Sequence, residues 1–196
     1  MLILTKHINS IFNSVSYILI EESTYECWII DIGDYEFIKE FIKGYNLQGV
    51  FLTHIHYDHI YGLNKLVIDY PNIPIYTNTY GLNILSNPYD NLSFYHNDDF
   101  ILLKPENVLL INEDTTLSIG QSRISFIQTP GHNDSCICFL INNLFFTGDS
   151  YIPGAKPVTK ILGGNKKKYN DSLIKIFNII NDNIIICPGH ENILQK

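Results

Sequence analysis

Apolar and polar positions alternate along this chain in short runs, and the runs predict strands more often than helices. Leu2 to Ile8, Val15 to Ile20 and Cys27 to Asp31 are apolar, β-rich segments. Polar turns at Asn9-Ser10 and Glu21-Glu22-Ser23 separate them. Asp34 reads as the N-cap of a helix ending near Lys43, with Phe37, Ile38, Phe41 and Ile42 on one face and Gly44 as the stop. Gly49 to Thr53 is a short buried-type strand. From Ile60 to Tyr70 the apolar spacing turns helical, with Ile60, Leu63, Leu66 and Val67 inward. A strand over Ile73–Thr77 and a short helix over Tyr80–Leu85 follow, then a polar, aromatic-bearing loop from Asn87 to Pro105.

The second half repeats the order. Strands are predicted at Val108–Ile111, Thr116–Ile119, Arg123–Gln128 and Cys136–Ile141. Asn142-Asn143 is a two-residue hairpin signal leading into Leu144–Thr147. Tyr151 to Gly164 is a Pro- and Gly-bearing loop. A helix over Asn165–Asn181 turns Leu173, Ile174, Phe177 and Ile180 inward, and Ile184–Cys187 is the last strand. Strands then helix, twice over, with antiparallel hairpins in each half, predict an α+β arrangement of two packed sheets with helices outside.

A length of 196 residues suits one domain over the whole chain, 1–196. Apolar residues make up 45% and charged residues 17%, enough for a core and too little charge for a disordered tail. The net charge of −7 and a single arginine, Arg123, argue against a nucleic-acid partner, which would need a positive surface. No apolar run reaches the ~18 residues of a membrane span. Met1 to Ile8 has no basic n-region and no small-residue cleavage site, so no signal peptide is expected. The four Cys form no CxxC pair, and a cytoplasmic chain with reduced thiols is the expectation.

The chemistry concentrates in one hexapeptide. His54, His56, Asp58 and His59 fall within six residues, directly after an apolar strand. Buried, such a cluster is costly unless a cation satisfies it, and imidazole and carboxylate are suitable ligands for a divalent one. His54 and His56, two apart in an extended segment, project the same way. Asp58 and His59 are expected at a helix start, where the turn swings them back toward the same cavity. Three further candidates share a context. His132 in Pro130-Gly131-His132, Asp149 in Gly148-Asp149 and His190 in Pro188-Gly189-His190 each follow a predicted strand and a glycine. Strand-exit loops on a rigid scaffold are where catalytic groups gather.

Taken together, His54-x-His56-x-Asp58-His59, Pro130-Gly131-His132, Gly148-Asp149 and Gly189-His190 resemble the metallo-β-lactamase-fold hydrolases. Their order and separations are similar to the hydroxyacylglutathione hydrolase (glyoxalase II) branch. The resemblance implies a four-layer αβ/βα sandwich with two mixed sheets and the metals at one edge. It implies that His54, His56 and His132 hold a first metal, that Asp58, His59 and His190 hold a second, and that Asp149 bridges them. Zinc is the first expectation, and an N/O donor set also accepts iron or manganese. A hydroxide bridging the two ions would attack a carbonyl of a small acyl substrate, a thioester before a lactone. Asp58, Asp149 and Tyr57 are the expected catalytic residues, Tyr57 as a hydrogen-bond donor to the reacting centre. Asp31 is a candidate for orienting a metal-bound His.

Some stretches depart from the glyoxalase II pattern. Six residues follow His190, so the resemblance does not extend to the helical region that helps hold glutathione. Tyr151 to Lys160 replaces the usual stretch after Gly-Asp and is expected to line the substrate entrance, with Lys156 or Lys160 meeting an acidic group. Cys136 and Cys138 are read as core, and no triad surrounds Ser135 and Cys136. His7 and His96 receive no role. The alternative on the same fold is a mononuclear-iron persulfide dioxygenase. A di-iron flavin-linked reductase would carry Glu at position 56, a nuclease would need an inserted domain, and a secreted β-lactamase would have a signal peptide and lack the bridging aspartate.

Overall fold

Strand β2 (Val15–Glu21) is buried at every position because both of its faces are covered. Val15, Tyr17 and Leu19 enter one apolar cluster, and Ile18 and Ile20 enter another. That division follows from the two-residue period of a strand. The same reading extends across the structure, a computed structural model that describes residues 1–191.

The first sheet has six strands in the order β1 (Leu2–Ile8), β2, β3 (Glu26–Ile30), β4 (Asn46–Phe51), β5 (Ile75–Thr77) and β6 (Val108–Leu110). β1, β2 and β3 pair antiparallel, and β3 to β6 pair parallel. The second sheet contains β7 (Leu117–Ile119), β8 (Ser122–Gln128), β9 (Ile137–Ile141), β10 (Leu144–Gly148) and β11 (Ile185–Pro188), in the spatial order β11-β10-β9-β8-β7. Here only the β10–β11 pair is parallel. Asn142, left-handed at φ 54°, turns the predicted hairpin between β9 and β10.

Three apolar clusters define four layers. Phe51, Phe126, Phe139 and Phe146 meet between the sheets with Leu19 and Ile30. Truncating Phe139 to Ala there would cost roughly 3–5 kcal/mol. On the outer face of the first sheet, Ile29 and Val50 pack against Ile38, Leu66 and Ile84 of α1 (Tyr35–Phe41), α2 (Leu63–Asp69) and α3 (Thr79–Ile84). On the outer face of the second, Cys138 and Phe145 pack against Ile176 of α4 (Lys166–Phe177). The two sheets with helices outside, expected from the pattern, are therefore present.

Several boundaries differ, each for a tertiary reason. Asp34 stands at the N-cap position of α1, but its side chain makes no cap hydrogen bond. Its carboxylate instead accepts from Ser10 and Tyr61. Phe37 is half exposed, stacked on His7 rather than turned inward. α2 begins at Leu63, after a separate 3₁₀ turn over Tyr57–His59. α4 ends at Phe177, four residues early, with Ile179 and Ile180 both donating to the Ile176 carbonyl. Its inward stripe is Tyr169, Ser172, Leu173 and Ile176, a spacing of 3, 1 and 3. Ile174 and Phe177, expected inward, are largely exposed.

Candidate metal centre

All seven side chains singled out in the sequence come together where the two sheets meet. His54 and His56 follow β4, and Asp58 and His59 lie in the 3₁₀ turn beyond it. His132 follows β8, Asp149 follows β10 and His190 follows β11. The first sheet thus contributes four groups and the second three. Two glycines allow so close a meeting. Gly148 is left-handed at φ 48°, and a Cβ there would lie 2.5 Å from Thr53 Oγ1. A Cβ at Gly189 would collide with Asp149 Oδ1.

Within the cluster, His54, His56 and His132 form one trio and Asp58, His59 and His190 another. The donor atoms of each trio lie within 4.8 Å of one another. Asp149 stands between the trios. Its Oδ2 is 3.4 Å from His132 Nε2, 3.3 Å from His190 Nε2 and 4.0 Å from His54 Nε2, and its Oδ1 is 3.6 Å from His59 Nε2. Asp58 Oδ2 lies 3.3 Å from His190 Nε2 and 3.4 Å from His59 Nε2.

Four of the five imidazoles have their outward nitrogen tied to an acceptor. His132 Nδ1 donates to the Val158 carbonyl at 2.9 Å, and His190 Nδ1 to the Phe12 carbonyl at 3.0 Å. His59 Nδ1 donates to Asp31 Oδ2 at 2.9 Å. His54 Nδ1 lies 3.1 Å from Thr53 Oγ1. Thr53 gives its single hydroxyl hydrogen to Asp31 Oδ2 at 2.6 Å, so His54 Nδ1 must be the donor. Each of these bonds places a proton outside the cluster and aims an Nε2 lone pair inward. Asp31 therefore orients two of the imidazoles, one directly and one through Thr53. His56 differs. Its Nδ1 lies 2.8 Å from His132 Nε2, and its Nε2 lies 3.3 Å from Asn133 Nδ2.

Burial opposes charge throughout this site. It pulls His54 down, and it pulls His56 to about 3 with help from His132. At His59 the carboxylates of Asp58 and Asp31 outweigh burial and raise the imidazole to about 9. At His190, Asp149 and Asp58 do the same and raise it to about 11. In turn, His190 and His59 hold Asp149 well below the usual carboxylate range against its own burial, and His59 holds Asp58 down. Positive charge is thus demanded beside Asp58 and Asp149. Two buried atoms, His54 Nε2 and Asp149 Oδ1, have no hydrogen-bond partner. Buried polar atoms are normally satisfied, so this orphaned nitrogen and oxygen fit cations that would accept both lone pairs.

A cavity of about 350 Å³ opens over the cluster, and His56, Asp58, His132, Asp149 and His190 form part of its lining. The loop after β10 supplies Ile152, Lys156, Val158 and Ile161, so the entrance expectation holds for Lys156. Lys160 is not among the lining residues. Tyr57 lines the wall, but its one hydroxyl hydrogen goes to Asp98 at 2.6 Å. The donor role expected of it toward the reacting centre therefore lacks its proton. Cys136 is buried, and burial pushes its thiol up, away from the thiolate a nucleophile needs. Ser135 Oγ is committed to Asn133 Oδ1 and the Ile55 amide.

Five lining residues, Phe12, Leu92, His96, Ile161 and Tyr169, carried no signal in the sequence. His96 sits between the rings of Phe12 and Tyr57, at 5.3 and 5.0 Å. Phe12 is left-handed at φ 54° and 67% exposed, and its carbonyl holds His190. A bulky residue in that region costs on the order of 1–3 kcal/mol.

Two packed mixed sheets with an imidazole–carboxylate cluster at their shared edge define a class of metal-binding αβ/βα sandwich proteins. The chain belongs to the metallo-beta-lactamase superfamily, whose family model matches residues 14–190. It is 26% identical over 151 residues to a hydroxyacylglutathione hydrolase of Pseudoalteromonas translucida, covering 76% of this chain and 51% of that one. It is 25% identical over 144 residues to a probable polyketide biosynthesis zinc-dependent hydrolase of Bacillus subtilis, covering 74% and 56%. The chain thus spans just over half the length of these curated relatives, both named hydrolases. Among solved structures, BLEG-1, described as a B3 metallo-beta-lactamase, superposes with a TM-score of 0.87 at 24% identity, covering 96% and 91% of the two chains. A protein crystallised in a di-iron-bound form superposes at 0.76 with 20% identity, covering 95% and 91%. These likenesses show the fold. Among the described residues, no helix is long and apolar enough to cross a membrane.

Proposed function

We propose that this protein is a metal-dependent hydrolase of a small acyl substrate, with a thioester as the first candidate. His54, His56 and His132 would hold one divalent cation, Asp58, His59 and His190 a second, and Asp149 would contact both. The observation that carries this reading is the convergence of five imidazoles and two carboxylates around two orphaned buried atoms. Two divalent cations there would supply hydroxide at neutral pH and an electrophile for a carbonyl oxygen.

The rest falls to the protein's own side chains. Asp31, Thr53 and the carbonyls of Phe12 and Val158 keep protons on the outward nitrogens of His54, His59, His132 and His190, so these four imidazoles do not have to turn when a ligand arrives. The cavity wall excludes water from the substrate's apolar parts. Tyr57 enters this reading as a wall residue, its hydroxyl held by Asp98. The hydrolase names of the curated relatives support the reaction class. Zinc in the name of one relative, and iron in a structural neighbour, agree with a donor set open to both metals.

Metal analysis of the purified chain, coupled to a hydrolysis panel of thioesters, lactones and phosphodiesters, tests the proposal. About two metal ions per chain and turnover of an acyl compound are expected. One iron per chain with oxygen consumption on a persulfide, and no hydrolysis, would replace it with the dioxygenase alternative.

A further inference from the structure

The left-handed Phe12 has no role in the cluster beyond its backbone carbonyl. A strained bulky residue persists only where its surroundings over-determine it. Phe12 O accepts from His190 Nδ1, and the neighbouring Asn13 O accepts from the Glu191 amide. The turn between β1 and β2 is thereby pinned to the end of β11. With the backbone held, the Phe12 ring lines the cavity and meets the His96 ring edge-on at 5.3 Å. It stays 67% exposed there, so it fills no core.

The remaining wall is of the same kind. Leu92, Ile152, Val158 and Ile161 face the space with Phe12, and Lys156 is the one Lys or Arg among the lining residues. Beyond the cluster, a leaving group with several carboxylates would find one lysine side chain among the described residues of the wall. A volume of about 350 Å³ sits at the low end of small-molecule pockets, room for a modest acyl group and not for a whole peptide conjugate.

From this wall we infer that Phe12 is a specificity-determining residue, and that the cavity selects acyl compounds whose acyl group is an apolar aliphatic chain short enough for the cavity to enclose. The inference rests on the hydrolase reading for its substrate and on the cavity alone for its selectivity. Each methylene packed against the wall is worth about a fourfold gain in kcat/KM until the cavity is full.

The test uses the full chain loaded with zinc and a series of thioesters of one small thiol, N-acetylcysteamine, from acetyl to octanoyl. The expected result is a stepwise rise in kcat/KM with chain length followed by a plateau. Phe12→Asn removes the ring while tolerating the left-handed backbone that holds His190, and it should lower the hexanoyl-to-acetyl ratio at least tenfold. Phe37→Ser, an exposed aromatic away from the cavity, should leave that ratio at its original value. A flat chain-length profile, or an unchanged ratio in Phe12→Asn, would overturn the inference and leave the hydrolase reading standing. If no thioester turns over, thioester hydrolysis fails as the reaction, and calorimetric binding of the matching S-alkyl thioethers decides the inference. Affinity rising per methylene and lost in Phe12→Asn supports it, and equal affinities overturn it.

Discussion

The metal-ligand cluster and the wall above it are neighbours built on opposite plans. In the cluster, the five imidazoles are at most 9% exposed, and the candidate ligands sit just beyond strand ends or, for Asp58 and His59, in the 3₁₀ turn that follows β4. Four of the outward nitrogens are tied to acceptors. In the wall, Phe12 is 67% exposed and Val158 55%, and the residues come from loops. Positions that must be held to a fraction of an ångström are placed at the buried exits of sheet strands, where packing and hydrogen bonds fix them. Positions that choose among substrates are left to segments that can vary without disturbing the chemistry.

Substitutions in the two regions should therefore fail in different ways. The largest effect is expected from Asp149→Ala, which removes the carboxylate standing between the two trios. Loss of hydrolysis on the order of 10³-fold or more, with bound metal reduced, would be read by kinetics and metal analysis. Full activity in that variant would break the assignment of the cluster. Asp31→Asn comes next. It leaves the pocket untouched, but its single amide oxygen cannot serve both the Thr53 Oγ1 and His59 Nδ1 donors on Oδ2 and the Thr53 amide on Oδ1, as the carboxylate does. Metal affinity should fall roughly 10–100-fold, measured by chelator competition, with the order of substrate preference kept. A changed preference with unchanged metal affinity would dissolve the distinction between cluster and wall.

Smaller effects belong to the wall. Lys156→Met should raise KM for substrates with an anionic group by about threefold, since an exposed charge pair is worth 0–1 kcal/mol, and should leave neutral substrates alone. Smallest of all, Tyr57→Phe should lower stability by about 0.5–1.5 kcal/mol through the lost bond to Asp98. Thermal unfolding would show it. A large fall in kcat with metal retained would instead return Tyr57 to the reacting centre.

The same contrast explains what the sequence made readable. β2 and β10 announce themselves because continuous apolar runs are buried on both faces. The His54–His59 hexapeptide stands out because its donors are crowded into one segment. The glycine-preceded His132, Asp149 and His190 stand out because they follow strands. Other features depend on partners distant in the chain. Asp34 looks like a cap, but Ser10 and Tyr61 claim its carboxylate. Ile174 and Phe177 fit a helical stripe, but α4 settles on the face carrying Ile176. Asp31 reads equally as a turn residue until Thr53 and His59 are seen on its two oxygens. Phe12 gives no signal at all, because left-handed backbone at a phenylalanine is imposed by tertiary contacts rather than by local preference.

The distribution of the seven ligand candidates, four on one sheet and three on the other, has a mechanical corollary. An ion gripped there would act as a rivet through the seam of the sandwich, reinforcing the packed interior and the few backbone hydrogen bonds, such as Ile137 N–H to the Thr53 carbonyl and Val15 N–H to the Gly189 carbonyl, that also join the two halves of the chain. Chelation would then loosen the joint itself, and amide exchange at the exits of β4, β8, β10 and β11 should quicken together while the far ends of the same strands keep their protection.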